Sequence, residues 1–171
     1  MSKIAVILTD DFEDSEYAKP ADAFKKAGHQ LTHVGLEKGK TVKGKKEGTP
    51  VKIDVAVKDA SADHFDALFV PGGYSPDKLR AHSEAVEFAR KFADSGKPIL
   101  MICHAAQLLI SAQALQGRKV TGWKSIAQDL KNAGAQYLDQ EVVEDGNFIS
   151  SRQPADIPAF VKASLNKLKG L

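Results

Sequence analysis

Lys97-Pro-Ile-Leu-Met-Ile-Cys103-His104-Ala105-Ala106-Gln107 is the stretch that decides the fold. Its apolar run Ile99–Ile102 ends abruptly in Cys103, the only cysteine of the chain, and a helix-compatible segment follows at once. The pattern predicts a strand buried on both faces that turns directly into a helix, with Cys103 on the corner. A thiol there would face the amide dipoles of the next helix. Those dipoles favour the thiolate, the nucleophilic form, so a depressed Cys103 pKa is expected. His104, next in the chain, could supply or hold a proton. The residues alone leave a second reading open, because a lone cysteine at the end of an apolar strand also serves as a small core side chain.

Working outward, Ile4–Leu8 and Asp66–Pro71 are further continuous apolar strands, and His29–Gly35 is a second strand after the helical segment Ser15–Ala27. Pro20 falls inside that segment and should kink it or mark its true first turn. Thr41–Val57 alternates and carries glycines and Pro50, which predicts one or two short peripheral strands. Glu84–Ser95 and Ser125–Ala133 are helical, each stopped by a glycine, and Pro154–Lys169 is a closing amphipathic helix. Asp145-Gly146 signals a hairpin between Val142 and Ile149. Buried strands alternating with helices argue for a mostly parallel sheet covered on both faces, in one domain spanning residues 1–171. Such sheets place their sites at the carboxyl ends of the strands. Three loops should therefore meet at one edge: Asp10–Asp14, Gly72–Asp77 and Cys103–Gln107.

The 171 residues carry a formal charge of +2, so nothing in the balance demands nucleic acid. The basic stretch Lys38–Lys46 contains glycines and no aromatic residue to stack on bases, and it reads as a solvated loop or hairpin. One cysteine excludes an internal disulfide framework and fits a reducing compartment. The apolar run near Met1 is too short for a signal-peptide core or a membrane span, so a cytoplasmic address is expected. Neither a phosphate loop nor a dinucleotide fingerprint is present, and the five histidines show no metal-ligand spacing. No metal or cofactor is expected.

Two features at the predicted edge each allow two readings. Glu13 is either one acid among several at a helix start, or a carboxyl beside Cys103 that shares a proton with its sulfur. Gly72-Gly73 either relieves crowding in a turn or presents amide N–H groups to an oxyanion. No histidine follows His104, which removes the late His-x-Glu pair of glutamine amidotransferases and the downstream histidine of papain-like enzymes.

The segments Asp11-Phe-Glu13-Asp14-Ser-Glu16, Val70-Pro-Gly-Gly73, Ser75-Pro-Asp77-Lys-Leu-Arg80, Ile102-Cys-His104, Asn132-Ala-Gly134, Ser150-Ser-Arg152 and Pro154-Ala-Asp156 resemble the PfpI family. That family belongs to the superfamily that includes the Parkinson-associated deglycase. The resemblance spans nearly the whole chain. It implies a flavodoxin-like three-layer α/β sandwich, similar to class I glutamine amidotransferases, with a mostly parallel central sheet. It also implies a nucleophilic Cys103, an adjacent His104 and a carboxylate at Glu13 bonded to the thiol. Members form dimers, and some form hexamers in which an acid from the next chain approaches the histidine; the matching residue here is Asp77. The family's Cys-His-Gly-Pro-Gln reads Cys103-His104-Ala105-Ala106-Gln107 here, and a methyl at Ala105 would crowd a backbone that substrate approaches.

The resulting expectation is a cofactor-independent stress-protection enzyme of the glyoxalase or deglycase type. It would act on small reactive carbonyls or glyoxal-modified groups through Cys103, assisted by Glu13, His104 and Asp77, with Gly72, Gly73 and Ala105 around the substrate. The alternatives are an intracellular cysteine peptidase acting on peptides and a non-enzymatic redox sensor. The expected assembly is a homodimer or a hexamer, with no membrane and no specific nucleic-acid partner.

Overall fold

The computed structural model describes residues 1–171. In chain order its regular elements are β1 (Lys3–Ile7), α1 (Asp14–Lys26), β2 (Gln30–Gly35), β3 (Thr41–Lys43), β4 (Pro50–Lys52), β5 (Val55–Ala56), β6 (Ala67–Val70), α2 (Ser75–Leu79) and α3 (Ser83–Ser95). There follow β7 (Ile99–Ile102), α4 (Ala106–Ser111), β8 (Lys119–Val120), α5 (Ala127–Asn132), β9 (Gln136–Tyr137), β10 (Val143–Asp145), β11 (Phe148–Ser151) and α6 (Ile157–Lys169). No helix is long and apolar enough to cross a membrane.

Seven strands form the central sheet in the order β10-β11-β7-β6-β1-β2-β5. Every pairing in it is parallel except β10 with β11, the hairpin signalled by Asp145-Gly146. In that hairpin Asp145 faces Phe148, and Gly146 takes φ +56° in the two-residue turn.

The central strands are buried along their length because both faces are covered. Alternate side chains divide between two cores, as the period of two requires. Ala5, Ile7, Leu68, Val70, Ile99 and Met101 face α3 and α4, with Phe88 and Phe92 packed against them. Ile4, Val6, Phe69, Leu100 and Ile102 face α1 and α6, with Phe24 and Phe160 between. This is the three-layer arrangement expected from the apolar runs.

The peripheral segment differs from its sequence reading. Residues 41–57 hold three short strands: β5 extends the central sheet beside β2, whereas β3 and β4 form a separate antiparallel hairpin. Pro20 lies within α1 without ending it. Ser75–Leu79, read as loop, is the short helix α2.

Candidate active site

The carboxyl ends of β7, β6 and β1 are neighbours in the sheet, so the three loops identified in the sequence meet at one edge. Cys103 is the first residue beyond β7 and has φ +63°, in the left-handed region that costs a residue with a side chain about 1 kcal/mol or more. Two backbone bonds hold it there: its N–H donates to the Ser151 carbonyl at 2.9 Å, and its own carbonyl accepts from Trp123 N–H at 2.9 Å. The Sγ atom lies 3.3 Å from His104 Nδ1.

The thiol does not behave as expected from a helix amino terminus. Burial, the charge of Glu16 and the hydrogen bond to it push Cys103 well above the ordinary thiol range; the His104 amide and the Lys45 charge oppose this and are outweighed. Helix α4 has only six residues and starts at Ala106, so its dipole is too weak and too far along the chain to win.

The acid that meets the sulfur is Glu16, and this corrects the expectation for Glu13. Residues Glu16, Pro20 and Phe24 follow one another at helical spacing on the buried stripe of α1, which carries the Glu16 carboxyl inward toward Cys103. Glu16 is fully buried. Burial raises its pKa to about 8; the hydrogen bond from Cys103 lowers it, the Glu13 charge raises it, and Lys45 and the Gly72 amide lower it. The contact is looser than an ordinary hydrogen bond, since neither Glu16 oxygen has a partner at standard distance and angle. The carboxyl therefore holds its proton at neutral pH beside a sulfur, as a proton-sharing pair requires. Glu13, one turn earlier, is spent on two lysines: its oxygens lie 3.2 Å from Lys45 Nζ and 3.3 Å from Lys46 Nζ. A carboxylate on the apolar stripe of a helix is the signal in the sequence that distinguishes Glu16.

Gly72 and Gly73 make close approaches. A Cβ on Gly72 would stand 2.2 Å from Glu16 Oε1 and 2.9 Å from the Cys103 Cβ, so the thiol–carboxyl pair needs glycine there. The Gly72 amide lies near the Glu16 carboxyl and lowers its pKa, and it has no backbone partner. Gly73 has φ +82° and lines the thiol cavity with no backbone partner for its N–H, so it keeps the oxyanion role open. Ala105 does not reach substrate: it is fully buried against the α3 side of the core, and its N–H is bonded to the Ile102 carbonyl at 3.1 Å. Its methyl therefore crowds no approach to the thiol. Asp77 is exposed on α2, 3.7 Å from Arg80, and its charge favours the imidazolium of His104 from within the same chain. Burial and the charge of Lys45 prevail, and His104 is lowered below its ordinary value.

The cavity over the sulfur measures about 280 Å³ and is lined by Glu13, Glu16, Lys45, Lys46, Gly73, Cys103, His104, Trp123 and Pro154. The basic stretch is largely exposed and leads into the β3–β4 hairpin, as its sequence suggests, but the side chains of Lys45 and Lys46 at its end border the thiol cavity. A larger space of about 680 Å³ lies at the opposite end near Met1 and Leu171, away from any nucleophile. No three His, Cys, Asp or Glu side chains are grouped to hold a metal ion.

A flavodoxin-like sandwich with a buried acid against a strained cysteine at its strand–helix elbow defines a class of thiol proteins. Within that class, the DJ-1/PfpI family profile matches residues 2–167, and the chain belongs to that family. It is 52% identical over 167 residues to Protein/nucleic acid deglycase 2 of Escherichia coli (strain K12), covering 97% of each chain. It is 50% identical over 167 residues to YraA of Bacillus subtilis (strain 168), which carries a provisional cysteine-protease name, covering 98% of each. The crystal structure of Drosophila melanogaster DJ-1beta superposes with a TM-score of 0.90 at 29% identity, over 100% of this chain and 92% of that one.

Proposed function

We propose that the protein is a cysteine-dependent enzyme of the deglycase or glyoxalase type, acting on small reactive carbonyls or on groups that such carbonyls have modified. The observation that carries this reading is the Glu16–Cys103 pair, in which a carboxyl with a pKa of about 8 faces the only thiol of the chain. The deglycase name of the Escherichia coli relative supports it.

The chemistry follows from the proton inventory. Cys103 sulfur adds to an aldehyde carbon, and its proton passes to His104 Nδ1, which is 3.3 Å away and neutral at neutral pH. Protonated Glu16 stands beside the developing adduct and can donate to the carbonyl oxygen, giving a neutral hemithioacetal. Ionised Glu16 then accepts the proton of the adduct carbon while protonated His104 gives its proton to the neighbouring carbonyl oxygen, forming an enediol; Glu16 returns its proton to the neighbouring carbon as the first hydroxyl gives its own to His104. Water adds to the thioester carbon and the carbon–sulfur bond breaks, giving a hydroxy acid and the thiol, and the proton held by His104 returns to Glu16. Peptide hydrolysis asks for more, because a poor amine leaving group needs a histidine oriented by an acid. Within one chain His104 has Cys103 as its side-chain hydrogen-bond partner and no carboxylate in contact. A homodimer or hexamer that brings Asp77 of a neighbouring copy to His104 belongs to the same proposal.

Turnover of methylglyoxal or of a glyoxal-modified amine by the purified protein, compared with Cys103→Ser, tests the reading. Loss of turnover in the variant is expected. No turnover by the intact protein would overturn it.

A further inference from the structure

The tip of the β3–β4 hairpin is anchored as a structural part of the thiol site. Asp14 accepts the N–H of Lys46 at 2.9 Å and of Thr49 at 3.1 Å. Burial alone would raise Asp14, but these amides, that of Glu47 and the Thr49 hydroxyl outweigh it and hold its pKa at about 2. Gly44 allows this contact, since a Cβ there would stand 1.9 Å from Asp14 Oδ1. The Lys45 N–H also donates to the Phe12 carbonyl at 2.9 Å.

Held in this way, the two consecutive lysines point back at the cavity. The side chain of Lys45 is about one-quarter exposed, and its Nζ lies 4.9 Å from the centre of the Tyr74 ring. Its charge reaches Glu16, Cys103 and His104 alike. The charge balance around the thiol is lopsided. Two ammonium groups share one carboxylate, Glu13, while Glu16 keeps its proton and His104 is neutral at neutral pH. Of the acids outside the cavity lining, Asp10, Asp11 and Asp77 pair with Lys40, Lys78 and Arg80, and Asp14 and Glu47 line a separate cavity together with Lys19. A pocket with net positive charge beside a nucleophile favours an anion there.

We infer that Lys45 and Lys46, fixed over Cys103 by the Asp14-anchored tip, select an anionic group on the molecule that meets the thiol, so that the pocket prefers a dicarbonyl compound, or a group modified by one, that also carries a carboxylate. This deepens the proposed function by naming its substrate class, and it rests on that reading for the carbonyl but not for the charge.

Alkylation of Cys103 by iodoacetate and by iodoacetamide separates the two. In each reaction the sulfur–carbon bond forms as the carbon–iodine bond breaks; iodide leaves and the thiol proton goes to solvent. The reagents differ chiefly in a carboxylate against a neutral amide. Relative to free cysteine under the same conditions, the protein should favour iodoacetate by about fivefold, the scale of one unit charge acting across a solvent-lined pocket. Raising the salt should shrink that preference. Lys45→Met with Lys46→Met should abolish or invert it, because Glu13 is then unopposed, whereas Lys45→Arg with Lys46→Arg should retain it. A preference equal to that of free cysteine, or one that survives the methionine variant, would overturn the inference. Charge preference without carbonyl turnover would leave the inference standing and overturn the proposed function instead.

Discussion

Replacing Glu16 by glutamine should make the protein more stable at neutral pH and less active toward carbonyls, and the size of the stability gain follows from the site. The Glu16 carboxyl has a pKa of about 8 in the folded protein against an ordinary value of 4.5. Between those values the native state binds a proton that the unfolded chain has released. Stability is therefore complete below pH 4.5 and is lost as pH rises toward 8, at about 1.4 kcal/mol per pH unit. At pH 7 the loss amounts to roughly 3 kcal/mol. Glu16→Gln removes that slope. Differences in packing between carboxyl and carboxamide shift the whole curve but leave its slope untouched, so the difference between variant and wild type isolates the ionisation. Denaturant unfolding at several pH values from 4.5 to 8 should show the variant gaining about 1.4 kcal/mol per pH unit over wild type. For a chain of this size, about 3 kcal/mol corresponds to some 6–12 °C in Tm at pH 7. Carbonyl turnover should fall by about a hundredfold or more, since the proton donor is gone. Parallel stability curves would refute the reasoning, because Glu16 would then be ionised in the native state and could not share a proton with Cys103.

Further outcomes follow from the same site and its surroundings. Alkylation of wild-type Cys103 should require a higher pH than free cysteine does, and Glu16→Gln should bring the midpoint down by removing the opposing charge; an unchanged midpoint would show that burial alone sets it. Arg152→Ala should lower the midpoint of chemical denaturation, because buried Asp156 loses guanidinium contacts at 2.9 and 3.0 Å; an unchanged midpoint would show that the pair does not support the fold. His33 is lowered by burial despite Asp54 beside it and accepts or donates to Tyr17 Oη at 2.7 Å. Its folded pKa lies below the unfolded value of 6.5, so its contribution to stability is present above pH 6.5 and lost as pH falls; His33→Ile should flatten the acid side of the stability curve. If a neighbouring copy supplies Asp77 to His104, dilution through the dissociation range should lower specific activity, and Asp77→Asn should remove that dependence.

The apolar runs Ile4–Leu8, Asp66–Pro71 and Ile99–Ile102 were enough to read a buried parallel sheet, because strands covered on both faces need no polar alternation. The hairpin at Asp145-Gly146 and the cysteine at the elbow were equally legible, since each depends on local turn chemistry or on chain order. Even the meeting of three loops at one edge followed from the rule that parallel strands deliver their carboxyl ends together. Other features needed the tertiary structure. Glu13 and Glu16 stand three residues apart on one acidic segment, and only the packing of α1 on the sheet turns Glu16 toward Cys103 and leaves Glu13 to two lysines. The same holds for the direction of the thiol pKa: the helix dipole is a local property, whereas burial and the Glu16 charge are long-range and prevail. Lys45 and Lys46 read as solvent-facing because nothing nearby in sequence holds them. Their place over the thiol depends on Asp14 accepting the Lys46 amide across 32 positions, a contact that exists only once α1 and the hairpin are folded together.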